Sequence, residues 1–122
     1  MEIIKLKQKF NCCKLVNYNE IDLNNNYIFI AKTQDENSIF CPEELTPKNV
    51  IKKESGFICL QIVGTLDFSL IGIIYNIAKI FAELKIPVCV NSTFDTDYFF
   101  IKDNDSIKAI KYLKENNYNI KE

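Results

Sequence analysis

The chain has no histidine, no arginine and no tryptophan among its 122 residues, and only three glycines and three prolines. Each absence closes off a class of function. Without histidine, the commonest general base and the commonest zinc ligand are missing. Without arginine, a nucleic-acid surface would rest on lysine alone, and a net charge of -1 supplies no basic stripe. No glycine-rich loop is present to cradle a phosphate, and no nucleophile elbow. Catalysis, bound metal and a cofactor are therefore not expected.

The five cysteines follow no framework. Cys12 and Cys13 are adjacent, there is no C-x-x-C, and Cys41, Cys59 and Cys89 each sit in apolar runs. That spacing predicts small buried apolar residues rather than disulfides or metal ligands. Long hydrophobic runs are missing too. The most apolar stretch, "SLIGIIYNIAKIFAELK", is broken by Asn76, Lys79 and Glu83 and is not expected to span a bilayer. The opening "MEIIKLKQKF" has no apolar h-region of a signal peptide, so a cytoplasmic location is expected.

What is there is a mixture of strand and helix signals. Residues 3–15 alternate loosely as extended chain in one strand or two. Asn-rich "VNYNEIDLNNN" reads as a loop, "YIFIAKT" (27–33) and "SIFC" (38–41) as strands, and "TPKNVIKKESG" as a linker. "FICLQIV" is nearly all apolar, as in a strand buried on both faces. A helix is predicted over 69–85, with Leu70, Ile73, Ile74, Ile77, Ile80, Phe81 and Leu84 on one face. Ile71, Tyr75, Ala78 and Ala82 widen its apolar surface, which calls for a second partner. Strands at 87–92 and 97–102 follow, then a helix capped by Asp105 or Ser106 with a stripe of Ile107, Ala109, Ile110 and Leu113. A short closing strand fits "YNIKE".

The second half thus runs β-α-β-β-α-β, an α+β ferredoxin-like sandwich. The first half echoes it. "FIAKTQDENSIFC" lies on "CVNSTFDTDYFFI" at an offset of 60 residues, matching Thr33 with Thr93, Asp35 with Asp95 and Ile39-Phe40 with Phe99-Phe100. A tandem of related units is expected, the first reduced (1–55) and the second whole (56–122).

Three stretches carry a resemblance: "TQDENSIFCPEELTP", "VGTLDFSLIGII" and "STFDTDYFFIK". Together they resemble the small ACT-domain proteins, related to the regulatory domains of aspartokinases and to the cytosolic arginine-sensor module. The resemblance implies a regulatory protein binding a free amino acid between two ACT units. Carried over by motif, the contacts would be Gly64, Asp67, Thr93, Phe94 and Asp97, with Ser38 and Ile39 from the first half.

The residues suit that role on their own chemistry. The helix start at Phe68-Ser69 offers unpaired N–H groups for a carboxylate. Gly64 lets a ligand approach the backbone. Asp67 and Asp97 offer acceptors for cationic groups, which favours a basic amino acid. Plainer roles stand beside these: Asp67 in the first helical turn, Gly64 as a turn glycine, Phe94 as core, and Asp95 closing its turn through its own backbone. An ACT-like module that only oligomerises or binds protein, without ligand, is the alternative. A homodimer is expected in either case.

Overall fold

The computed structural model describes residues 1–63 and 72–122. Among them run β1 (Glu2–Lys5), β2 (Phe10–Leu15), β3 (Phe29–Lys32), β4 (Asn37–Pro42), β5 (Val50–Ile62), α1 (Ile73–Glu83), β6 (Cys89–Ser92), β7 (Asp97–Lys102), α2 (Ser106–Glu115) and β8 (Asn119–Lys121). Short 3-10 turns follow β4 at Glu43–Leu45 and β7 at Asp103–Asp105. The chain forms two compact units, Gln8–Phe57 and Met1–Lys7 with Ile58–Glu122. The sequence placed residues 1–7 in the first unit. They group with the second because β1 pairs antiparallel with the end of β5 (Ile3 opposite Ile62) and parallel with β8 (Ile3 opposite Ile120).

In the second unit the strand order is β8-β1-β5-β7-β6. This is the ferredoxin-like βαββαβ arrangement with one addition: β1 stands between the first and last strands of the motif. The core is Ile58, Leu60 and Ile62 from β5, Ile77, Ile80 and Phe81 from α1, Phe99 and Ile101 from β7, and Ala109 and Leu113 from α2. Burying each large side chain contributes about 1.5–3 kcal/mol. Phe81 meets Phe99 at 6.3 Å between ring centres.

Both helices stop the same way. Lys85 (φ 58°) and Asn117 (φ 72°) take the left-handed conformation just past the helix ends. The amides of Ile86 and Tyr118 then reach back to the carbonyls of Phe81 and Leu113, and those of Lys85 and Asn117 to Ala82 and Lys114. These are Schellman closures, and the first packs Ile86 into the core beside Phe81.

Two sequence expectations change here. Ile107 is 86% exposed, while Ser106, Ala109 and Leu113 are buried. At 100° per residue those three share a face and Ile107 lies well off it. Cys89 is exposed on β6 rather than buried, since β6 is an edge strand. The expected start of the first helix at residues 69–71 lies outside the described residues; the described helix begins at Ile73, after Gly72 at φ 82°.

In the first unit the order is β3-β4-β2-β5. The "linker" is in fact strand: from Val50 onward the chain pairs with β2, Val50 opposite Leu15 and Glu54 opposite Cys12. Its run of Lys52, Lys53 and Glu54 looks like solvated loop. What fixes it is backbone pairing, and such charges suit a strand at a sheet edge. Gly56 (φ 82°) sits in that strand. Cys13, Leu15, Ile39 and Cys41 form the buried cluster of this unit, with Tyr18, Ile21, Ile28 and Val50 against it.

The two units repeat each other closely. β3 and β6, β4 and β7, and the two 3-10 turns each begin sixty residues apart. The strand next to β4 is β2, as β5 is next to β7. Where the second unit has α1 and α2, the first has the irregular stretches between β2 and β3 and between β4 and β5. The first unit thus repeats strands of the second without its helices.

Candidate functional site

The β6–β7 hairpin holds three of the expected site residues. Ser92 and Asp97 are its last cross-strand pair, and residues 93–96 make the tip. The Thr93 amide donates to the Thr96 carbonyl at 2.8 Å, and the Thr93 hydroxyl donates to the same oxygen at 3.1 Å. The Thr96 amide donates back to the Thr93 hydroxyl at 3.3 Å. The turn is thus closed by threonine, not by the exposed Asp95 as the sequence suggested. The β3–β4 hairpin is built alike: the Thr33 amide donates to the Glu36 carbonyl at 3.0 Å and the Glu36 amide to the Thr33 hydroxyl at 3.2 Å.

Asp97 is the unusual member. Its residue is 9% exposed, and the Ser92 hydroxyl donates to Oδ1 at 2.6 Å. Among the described residues no cation pairs with this carboxylate. Residues 64–71 contain no lysine either. A carboxylate held out of water without a counter-charge is costly and suits a cationic ligand group. Thr96, 6% exposed, donates its hydroxyl to the Ile62 carbonyl at 2.8 Å, which fastens the tip to the end of β5.

Four more of the expected residues are described. Thr93 stands at the tip with its hydroxyl committed to the turn, and Phe94 is 80% exposed beside it. Ile39 is 1% exposed in the first unit's core, on a strand paired on both sides, so its side chain is not available to a ligand. Ser38 is half-buried; its carbonyl accepts from the Tyr18 hydroxyl at 2.9 Å, and it borders a shallow pocket with Cys12, Lys14 and Glu36. Gly64 and Asp67, with the helix start at Phe68-Ser69, lie outside the described residues.

Sequence reasoning missed Ser92 and Thr96. Both stand in the quoted "STFDTD", and the signal available was the pair of hydroxyl residues, Ser92 and Thr96, on either side of the polar turn. Among the described residues no three cysteines or carboxylates converge as metal ligands, and no helix is long and apolar enough to cross a membrane.

The family model of the ACT domain matches residues 52–115. No curated protein sequence matches the chain. Among solved structures it is similar to a structural-genomics protein of Agrobacterium tumefaciens, with TM-score 0.86 and 24% identity over 98% of this chain and 90% of that one. It is also similar to a chain of an aspartokinase of alpha and beta subunits (TM-score 0.66, 12% identity, 94% and 96% covered). The aspartate kinase of Clostridium acetobutylicum, described as an allosteric enzyme, matches at TM-score 0.63 and 14% identity over 91% of this chain and 33% of its own. At these identities the structural likenesses show the fold.

Proposed function

Because the chain belongs to the ACT-domain family, whose members are regulatory ligand-binding domains, we propose that it is a sensor of a free amino acid and not an enzyme. Asp97 is the acceptor for a cationic group of that ligand. The observation that carries the reading is the buried Asp97 carboxylate, braced by Ser92 and without a cation of its own among the described residues. A zwitterion brings one ammonium, and a basic amino acid brings a second cationic group. Regulation would then work by binding alone, consistent with a sequence that lacks histidine and glycine-rich loops.

A thermal-shift screen of the full chain against the twenty amino acids tests this. A ligand at a hundred times its dissociation constant adds about 2.7 kcal/mol of apparent stability. No shift with any of the twenty would overturn the amino-acid reading.

One observation favours a second role beside it, self-association. On α1, Ile74 is 40% and Tyr75 66% exposed, although a helix on a sheet needs only its inner stripe apolar. A homodimer covering that face is the partner we infer. Light scattering at tens of micromolar should give twice the chain mass, falling towards one chain for Tyr75→Lys; a wild-type monomer would remove the dimer from the proposal.

A further inference from the structure

The two hairpins differ in one equivalent cross-strand pair. In the β3–β4 hairpin the cross-strand pair equivalent to Ser92 and Asp97 is Lys32 and Asn37. There the Lys32 ammonium donates to Asn37 Oδ1 at 3.3 Å. At this point of the fold, then, a primary ammonium reaches the acceptor across the pair, supplied by the chain itself. In the second unit the lysine is replaced by serine, too short to bring a charge, and the amide acceptor is replaced by a carboxylate. The position keeps its acceptor, gains a negative charge and loses its resident ammonium.

Ser92 also limits what can take that place. Its hydroxyl donates to Oδ1 at 2.6 Å, and the Asp97 residue as a whole is 9% exposed. A guanidinium binds a carboxylate best as a fork, with two parallel N–H donors on the two oxygens. With Oδ1 already accepting from Ser92 and the residue mostly buried, a fork on both oxygens is disfavoured, whereas a single ammonium donor needs only Oδ2. We infer that Asp97 receives a primary ammonium and not a guanidinium, and that Ser92 is the positioning residue that makes the distinction. This rests on the reading of Asp97 as a cation acceptor and adds the class of cation.

The test is an NMR titration of the full chain with methylammonium chloride and, separately, guanidinium chloride at non-denaturing concentrations. Each is set against sodium chloride, and the backbone amides of Ser92, Thr96 and Asp97 are read. In the wild type, methylammonium should saturate those shifts at concentrations several-fold lower than guanidinium. Ser92→Ala should bring the two probes together, and Ser92→Thr, which keeps the hydroxyl, should restore the preference. Equal titration by both probes in the wild type overturns the inference, as does a preference unchanged in Ser92→Ala, or shifts no larger than with sodium. The wild-type comparison decides even if Ser92→Ala fails to fold. A clear methylammonium response beside twenty silent amino acids would remove the amino-acid reading while leaving this one standing.

Discussion

The Thr96 hydroxyl donates to the Ile62 carbonyl at 2.8 Å across 34 residues of sequence, with both residues buried. It is the fastening between the hairpin tip and the end of β5. Thr96→Val keeps the side-chain shape and removes the donor, leaving a buried carbonyl without its partner. The expected loss is about 1–3 kcal/mol, read from urea unfolding. Thr96→Ser keeps the hydroxyl and should recover most of it. If Thr96→Val is as stable as the wild type, the bond is not what holds the tip.

Much of this was legible from the chain because the strongest signals were periodic. The apolar run 57–62 and the helical spacing of Ile73, Ile77, Ile80 and Phe81 announced β5 and α1, since burial is what writes that pattern. The offset of sixty showed the repeat through Thr33 and Thr93, residues that close both turns with their hydroxyls. What escaped was structure fixed by backbone pairing alone. Lys52, Lys53 and Glu54 have loop-like side chains, and only their ladder with β2 makes them strand. Insertion of β1 between β5 and β8 was equally silent, because pairing order leaves no mark on Ile3 beyond being apolar. At the site, Asp97 stood out as a carboxylate beginning a strand. Its brace did not, since a serine at position 92 has the same look whether it faces solvent or a carboxylate.

The α2 helix offers a direct check on which face is inward. Leu113 is 0% exposed, and Leu113→Ala should cost about 2–5 kcal/mol, depending on how far the site collapses. Ile107→Lys should stay within about 0.5 kcal/mol of the wild type, because Ile107 is 86% exposed. Urea midpoints of the two variants decide it. A large cost at Ile107 would mean that a partner covers this side of the helix in solution.

The thiols should divide into fast and slow. Cys13, Cys41 and Cys59 are buried, and desolvation raises each above the ordinary thiol range. A thiol reagent at neutral pH should label Cys89 in the native protein and leave those three until unfolding. Cys41 adds a pH dependence. Burial pushes it from about 9 up to about 11, against a smaller lowering by its hydrogen bond with Thr46. Between those values the folded chain keeps a proton that the unfolded chain releases, so stability falls as pH rises from about 9 to about 11. Cys41→Ala should flatten that fall in urea unfolding at stepped pH. An equal slope in both proteins would show that Cys41 does not contribute to it.

Asp97→Asn separates a ligand-binding carboxylate from a structural one. Asparagine keeps an oxygen for the Ser92 hydroxyl and the same strand backbone, so the hairpin should survive the change. If Asp97 only shapes the hairpin, binding of whichever amino acid the screen identifies should be unaffected. If it holds the ligand's cation, the variant loses a charge-assisted hydrogen bond of roughly 1.5–3 kcal/mol. Affinity should then fall by roughly ten- to a hundredfold or somewhat more. Ligand-free stability should hold or rise, because a buried charge without a counter-ion is no longer present. Asp95→Asn, at the exposed tip two residues away, is the control and should bind almost normally. Calorimetry on both variants decides between the two roles: affinities equal to each other would take Asp97 out of the site.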